Sequence, residues 1–485
     1  MFDAERSIAG AFEEFKRVVD YVRHEGQSHD AYTVERRLFR DLLAVGLHLL
    51  GGYFEEKHGG DVGPAVEIES GQRLPRERRK SRSYLTVFGE LELARSYYHR
   101  DGTSGIFPLD EQTNLPEARY SYFVQELVEQ RLGRMTYQEA VSELEALFGL
   151  ALRKHTVKDL APTIAAHADP FYAAQGTPPA ETEAEVLVAA VDGKGVPIVK
   201  DEPAKHRVRL RKGEKLSRKK EAVVAAVYTI EPFARTAEEI VAEIRDEHQP
   251  VERPRPQNKQ VRATLGGKED AFAAVRAQVE RRDPRGEKKR VCLMDGSRAL
   301  WVLALAMLEG FTFILDLFHV LEYLWKAAHV FAAEGSAEAE AFVRRRLLLL
   351  LEGKVGYVIG GLRQMLTKHR RRLSAAQCKT LKTVIGYYER NRRWMRYDTY
   401  IAAGYPIGSG AVEGACRHLV KDRMEGSGMR WTIPGAEAVL KLRAVYLNGD
   451  WDPFWQFHMQ QEAQRRFGHR RWSPLTRADA LKQAG

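Results

Sequence analysis

Short apolar runs that end in an acid constrain what this chain can fold into. Val186-Leu187-Val188-Ala189-Ala190-Val191 stops at Asp192, and Val291-Cys292-Leu293-Met294 stops at Asp295. Runs this short, bounded by glycine, read as strands. A third run, Ala222 to Ile230, is continuous and β-branched, the composition of a strand buried on both faces. The spacing predicts strands at 185–191 and 196–200 around a turn at Gly193 to Gly195, then the third strand at Ala222 to Ile230. A helix follows near 237–247, then a Pro-, Arg-, Lys- and Gln-rich stretch at 249–268 that reads as a mobile loop. A helix at 269–282, a strand at Arg290 to Met294, a helix at 298–309, a strand at Phe311 to Leu315 and a helix at 318–333 complete the series.

That order, β-β-β-α-β-α-β-α, is expected of an RNase H-like α/β core. The stretch 334–400 is helical in pattern and highly charged, and reads as an all-α insertion before a last core helix. Upstream, residues 1–120 read as helices with a small β-hairpin, Tyr84 to Phe88 and Leu91 to Arg95 around Gly89-Glu90. Residues 121–175 read as three short helices resembling a helix-turn-helix unit. Thr136-Tyr137-Gln138-Glu139 is a capping box, Gly149 stops the second helix, and Thr156 can cap the third, which Pro162 should bend or shorten. A plain helical bundle fits the same pattern. The expected organisation is 1–120, 121–175, 185–333 for the first part of the core, 334–400 for the insertion, 401–450 for the final core helix, and a tail at 451–485.

Net charge is +10, which favours acidic partners, nucleic acid above all. Residues 204–220 alone carry nine Lys or Arg against one Glu. The three cysteines, Cys292, Cys378 and Cys416, lie far apart, so neither a disulfide framework nor a Cys-rich zinc site is expected. The first residues lack a signal-peptide pattern, and no apolar run approaches the ~20 residues of a membrane span. The expected location is the cytoplasm, with the nucleoid.

Glu413 follows Gly408-Ser409-Gly410-Ala411-Val412 and opens a helix rich in Arg and Lys. Asp192, Asp295 and Glu413, each ending or opening a core element, are the candidate catalytic set. Mg²⁺ takes hard oxygen ligands and keeps several waters, so two or three carboxylates plus a substrate phosphate suffice. Two such ions, Mg²⁺ or Mn²⁺, can activate an attacking oxygen and stabilise a leaving one. Taken singly, Asp192 is equally a turn former and Asp295 an N-cap. Asp316 and His319, after the fifth strand, are an accessory pair suited to phosphate or metal, or a buried structural pair. Arg417 and Lys421 stand at i+4 and i+8 from Glu413, and Arg423 and Arg430 follow. These four, with Arg153, Lys154 and Lys158 near the third upstream helix, are the candidate DNA contacts.

At these residues the chain resembles bacterial insertion-sequence DDE transposases of the ISKra-type family, related to Mutator-like transposases. The resemblance rests on Ala190 to Val196, Leu293-Met294-Asp295-Gly296, Asp316-Leu317-Phe318-His319 and, most specifically, Gly408 to Gly414 followed by Arg417, Lys421, Arg423 and Ser427 to Trp431. It covers about residues 80–450 and includes Phe88 to Leu91 and Phe107 to Glu111. It implies that Asp192, Asp295 and Glu413 bind the metal ions, and that Asp316 and His319 match an accessory Asp-x-x-His motif. It further implies binding of element ends and target as double-stranded DNA, metal-dependent strand cleavage and transfer, and a homo-oligomer on DNA. Some relatives carry Cys-x-x-Cys after the Tyr-Tyr segment; here Tyr97-Tyr98 runs on without cysteine. Two other readings remain at this level: an inactivated or repurposed transposase that only binds DNA, and a nuclease on the same fold.

Overall fold

A computed structural model of the chain describes residues 4–199, 218–245, 252–426, 429–469 and 471–475. Of the basic stretch at 204–220, residues 204–217 therefore lie outside the described residues, and Arg218, Lys219 and Lys220 begin a strand. The chain forms two compact units, Met1–Phe171 with Asp450–Gly485, and Tyr172–Gly449. Among the described residues no helix is long and apolar enough to cross a membrane.

The first unit joins helices Ala4–Arg23 and Ala31–Glu56 to an antiparallel sheet. Its strands are β1 (Ala65–Ile68), β2 (Arg73–Thr86) and β3 (Gly89–Tyr98), with Trp472–Leu475 pairing on the free side of β1. The hairpin is longer than its sequence signal. Thr86 pairs with Gly89, so the turn falls at Val87-Phe88 rather than at Gly89-Glu90. The segment from 451, read from sequence as a tail, forms helix Trp451–Phe467 and this fourth strand.

Helices Tyr122–Leu132, Tyr137–Phe148 and Lys154–Ala165 pack around Val124, Val128, Leu132, Val141, Leu144 and Val157. Thr136 and Glu139 close the capping box reciprocally. Gly149 ends the second helix at φ 69°, a left-handed conformation that glycine adopts without Cβ strain. The third helix begins at Lys154, two residues before the expected Thr156, with Arg153 at its N-cap making no side-chain bond. It ends at Ala165, three residues past Pro162.

The second unit is mixed α/β. Its five strands are β4 (Val186–Ile198), β5 (Arg218–Ile230), β6 (Gln257–Thr264), β7 (Lys289–Met294) and β8 (Thr312–Leu315), in the order β6-β5-β4-β7-β8. β4, β5 and β6 pair antiparallel, while β7 and β8 run parallel to β4. Helices Lys268–Arg282, Arg298–Met307 and Leu317–Ala328 follow β6, β7 and β8 in turn. Val186 to Val191 are fully buried, as are Val291, Cys292 and Leu293, so these parallel strands form the centre of the core.

Two sequence expectations change here. The predicted turn at Gly193 to Gly195 is mid-strand, because β5 pairs with β4 along its whole length, Gly193 facing Val223 and Gly195 facing Glu221. The predicted loop at 249–268 contains β6, an edge strand with only Val261 and Ala263 buried. Its polar composition belongs to an edge exposed on one side, which hides the alternation. From Ala337 to Ala402 the chain is helical, in Ala337–Leu351, Val355–Lys368, Ala375–Asn391 and Tyr397–Ala402.

Glu129 is fully buried in helix Tyr122–Leu132, and neither carboxyl oxygen has a hydrogen-bond partner among the described residues. Burial pushes its carboxyl well above the ordinary range. Below that range folded and unfolded chains are both protonated, and the group is neutral to stability. As pH rises, the unfolded state ionises first, so stability falls. Glu129→Met is expected to raise stability near pH 7 by on the order of 1–3 kcal/mol and to flatten this slope. Denaturant unfolding at pH 4.5 and 7.5 reads both effects, and a Glu129→Met chain no more stable than the unsubstituted one at pH 7.5 would refute the neutral-carboxyl account.

Candidate metal centre

The parallel register aligns three acids. Val191 of β4 pairs with Met294 of β7, and Met294 with Leu315 of β8. The next residues are Asp192, Asp295 and Asp316, side by side where each pairing ends. Neighbouring strands lie about 4.8 Å apart, so the three carboxylates share one edge. Asp316 is fully buried, and its amide donates to the Met294 carbonyl at 2.9 Å, locking β8 to β7 at this level.

Each acid is held by local backbone. The Gly193 amide donates to Asp192 Oδ1 at 2.7 Å, and the Cys416 thiol approaches Oδ2 at 3.4 Å. The Ser297 amide donates to Asp295 Oδ1 at 2.8 Å, the two-residue reach of an Asx turn. Asp316 caps helix Leu317–Ala328 by accepting from the Phe318 amide at 3.0 Å. It also accepts from the Ser409 amide at 3.2 Å and from the Ser409 hydroxyl. The glycine-rich segment before Glu413 is thereby tied to the end of β8. The Ser409 hydroxyl thus positions Asp316.

His319 Nδ1 lies 2.9 Å from Asp316 Oδ2. Candidate ligand atoms of Asp316, His319 and Glu413 all lie within 4.8 Å of one another, the one such group of three or more among the described residues. The expected set of Asp192, Asp295 and Glu413 does not itself meet that distance, and the accessory pair is what stands beside Glu413. Asp192 and Asp295 remain close enough to act electrostatically. Burial raises the Asp295 carboxyl, and the charges of Asp192 and Asp316 raise it further. Partial burial raises Glu413, with Asp316 and Asp192 adding to it and His319 opposing. Four carboxylates face one imidazole here. This hard, oxygen-rich and negatively charged donor set fits Mg²⁺ or Mn²⁺.

Glu413 lies in helix Gly410–Ala415, which continues as a π-helical turn, Cys416–Lys421, and a short α turn, Asp422–Met424. Glu413, Arg417 and Lys421 are exposed, while Ala415, Cys416, Leu419 and Val420 are buried. Among the described residues Arg417 makes only a long contact, 3.9 Å, to Asp422. Arg430 is exposed; the Trp431 carbonyl accepts from the Val199 amide at 2.8 Å, tying this segment to the end of β4. Arg423, expected as a DNA contact, is 2% exposed and stacks over Trp431 at 4.7 Å. It is a core cation, out of reach of a phosphate. In the first unit Arg153 and Lys158 are exposed, whereas the side chain of Lys154 lies outside what is described.

One aromatic residue was not singled out from sequence. Tyr387, in helix Ala375–Asn391, covers the turn after Asp295 so closely that a Cβ at Gly296 would lie 2.2 Å from its Cε2. Only glycine fits there. The Tyr387-Tyr388 pair in an apolar helical pattern was its sole sequence signal.

No protein-family model matches the chain, and no curated protein matches it.

Donating a hydrogen bond to Asp316 holds the His319 imidazolium up at about 9. A histidine bound this way stabilises the fold below its ordinary pKa of 6.5, and that contribution is lost as pH rises through about 9. NMR titration of His319 without metal is expected to give a midpoint near 9 that falls in Asp316→Asn. A midpoint at or below 6.5 in the unsubstituted protein would refute the pairing.

Proposed function

We propose that this chain is a DDE-type DNA transposase of the ISKra-like group, with an RNase H-like core, acting by metal-dependent phosphoryl transfer. The observation that carries the reading is the row of Asp192, Asp295 and Asp316 across three adjacent strand ends, with Glu413 and His319 beside Asp316. The sheet order, with β7 and β8 parallel to the first strand and β5 and β6 antiparallel, agrees with such a core. The helical stretch between β8 and Glu413 sits where the sequence places the insertion.

Asp192, Asp295, Glu413 and Asp316 would hold the cations, and His319 would orient Asp316. When bound, divalent ions polarise the scissile phosphate and lower the pKa of an attacking water or 3′-hydroxyl. The chain's own residues do the rest. Asp192 and Asp295 are fixed by backbone amides, so their carboxylates need little rearrangement. Arg417 and Lys421 offer exposed cations on the Glu413 face to backbone phosphates flanking the reacting one. In the first unit, the three-helix region with exposed Arg153 and Lys158 is suited to binding element ends. The net charge of +10 favours duplex DNA throughout.

Asp192→Ala, Asp295→Ala and Glu413→Ala are each expected to abolish strand cleavage while leaving DNA affinity near wild type, since affinity comes mainly from Lys and Arg. Cleavage is assayed in Mn²⁺ and binding in Ca²⁺, on duplex carrying the borders of the reading frame and on random duplex. Activity above one-tenth of wild type removes that residue from the catalytic set. Binding without cleavage by the unsubstituted protein indicates a repurposed DNA-binding protein, and equal cleavage of both duplexes indicates a nuclease.

Neutralising Arg417 and Lys421 together should lower the slope of log K against log salt by about 1.8, roughly 0.9 per lost phosphate contact. Cleavage should fall further than binding, because those phosphates flank the reacting one. An unchanged slope would assign both side chains to solvent.

A further inference from the structure

Four tyrosines from the helical stretch lie against the β8 end of the core. Three donate their hydroxyls to backbone carbonyls: Tyr388 to Val320 at 3.0 Å, Tyr397 to Leu315 at 2.7 Å and Tyr400 to Phe313 at 3.2 Å. Their role is structural, fastening β8 and the helix after it. Tyr387 differs. It is 4% exposed, and its buried hydroxyl has no hydrogen-bond partner among the described residues. Leaving a buried hydroxyl unsatisfied costs stability that phenylalanine would not lose.

The ring is held rigidly. It stacks on Tyr323 with centroids 3.7 Å apart and planes 4° from parallel. Its hydroxyl oxygen lies 3.0 Å from where a Cβ on Gly296 would stand, beside the Asp295 turn. Burial, with the charges of Tyr323, Asp295 and Asp316, pushes the phenol far above its ordinary value, so the hydroxyl keeps its proton. A rigid proton donor without an acceptor stands next to an acid crowded by other acids.

We propose that Tyr387 is a positioning residue of the metal centre, its hydroxyl, unpartnered among the described residues, donating to the Asp295 carboxylate and orienting it when a divalent cation binds. This rests on the reading of the acidic row as a metal centre. Outer groups that hydrogen-bond a ligating carboxylate fix its orientation, and losing one typically lowers metal affinity by about 10–100-fold. The helical stretch would then complete the centre as well as surround it, and Gly296 is required because the ring occupies the space a side chain would take.

The test is Tyr387→Phe, which removes one oxygen and keeps the stack on Tyr323. Mn²⁺ alone is titrated calorimetrically into the full-length chain, and the metal-free melting temperature is measured alongside. The expected result is at least about a tenfold loss of Mn²⁺ affinity with a melting temperature equal to or above wild type. Mn²⁺ affinity equal to wild type overturns the proposal, and so does a lower metal-free melting temperature with unchanged affinity, which marks a structural hydroxyl. Asp295→Asn separates the two levels of inference. If the unsubstituted chain binds Mn²⁺ and Asp295→Asn does not, failure of Tyr387→Phe to weaken binding falls on Tyr387 alone. If the unsubstituted chain binds no Mn²⁺, the metal-centre reading and this proposal fall together.

Discussion

Parallel pairing of β4, β7 and β8 brings three acids to one edge. Backbone register, rather than any side-chain contact, sets Asp192 beside Asp295 and Asp295 beside Asp316. A one-residue slip in either pairing would carry the acid to the opposite face of the sheet. The register is protected by what precedes it. Val186 to Val191 and Val291 to Leu293 are fully buried, so a slip toward them would draw a charged acid into the apolar core. The same hydrophobic burial that builds the core therefore holds together groups that repel one another. Burial first, and that repulsion after it, raise the carboxyl pKa values of Asp295 and Glu413.

The helical stretch between β8 and Glu413 is part of this arrangement. Tyr397 and Tyr400 donate to carbonyls on β8, and Tyr388 donates to the helix that Asp316 caps. Trp394 stacks on Trp301 at 3.8 Å, with planes 3° from parallel, joining the stretch to the helix after β7. From the other side, Ser409 reaches Asp316 through both its amide and its hydroxyl. Asp316 is thus the common point of a strand end, a helix cap and the glycine-rich segment before Glu413. Substituting it would disturb geometry as well as charge, whereas Asp192 and Asp295 each accept one local amide.

Much of the centre was legible in the sequence because each acid follows an apolar run that ends abruptly, a local pattern. Asp192, Asp295 and the Asp316/His319 pair all carry it, and Glu413 follows a glycine-rich segment. What was not legible depends on pairing partners. Gly193 to Gly195 look like a turn until β5 is seen to pair through them. β6 looks like a loop because an edge strand needs only Val261 and Ala263 inside. Arg423 looks like one more cation in a basic helix, and only the return of Trp431 over it shows that it is buried. Tyr387 could not be assigned, since its contact with Gly296 joins positions 91 residues apart (387 − 296).

The helix that begins before Glu413 adds a further constraint. In an α-helix, residues four apart drift about 40° around the axis, so Lys421 would stand about 80° from Glu413. The turn Cys416–Lys421 is instead π-helical, and wider turns of this kind recur at functional sites. More residues per turn reduce the drift, and the burial pattern follows a four-residue beat: exposed at 413, 417 and 421, buried at 415–416 and 419–420. The wide turn also brings Cys416 inward against Asp192 and frees the His418 carbonyl, which accepts from Arg443 Nε at 2.6 Å. A regular helix through the same residues would keep the cations but rotate Lys421 off the exposed face it shares with Glu413 and Arg417. The irregular turn therefore binds the placement of the two cations to the placement of the carboxylates, so that changes to one should be felt at the other.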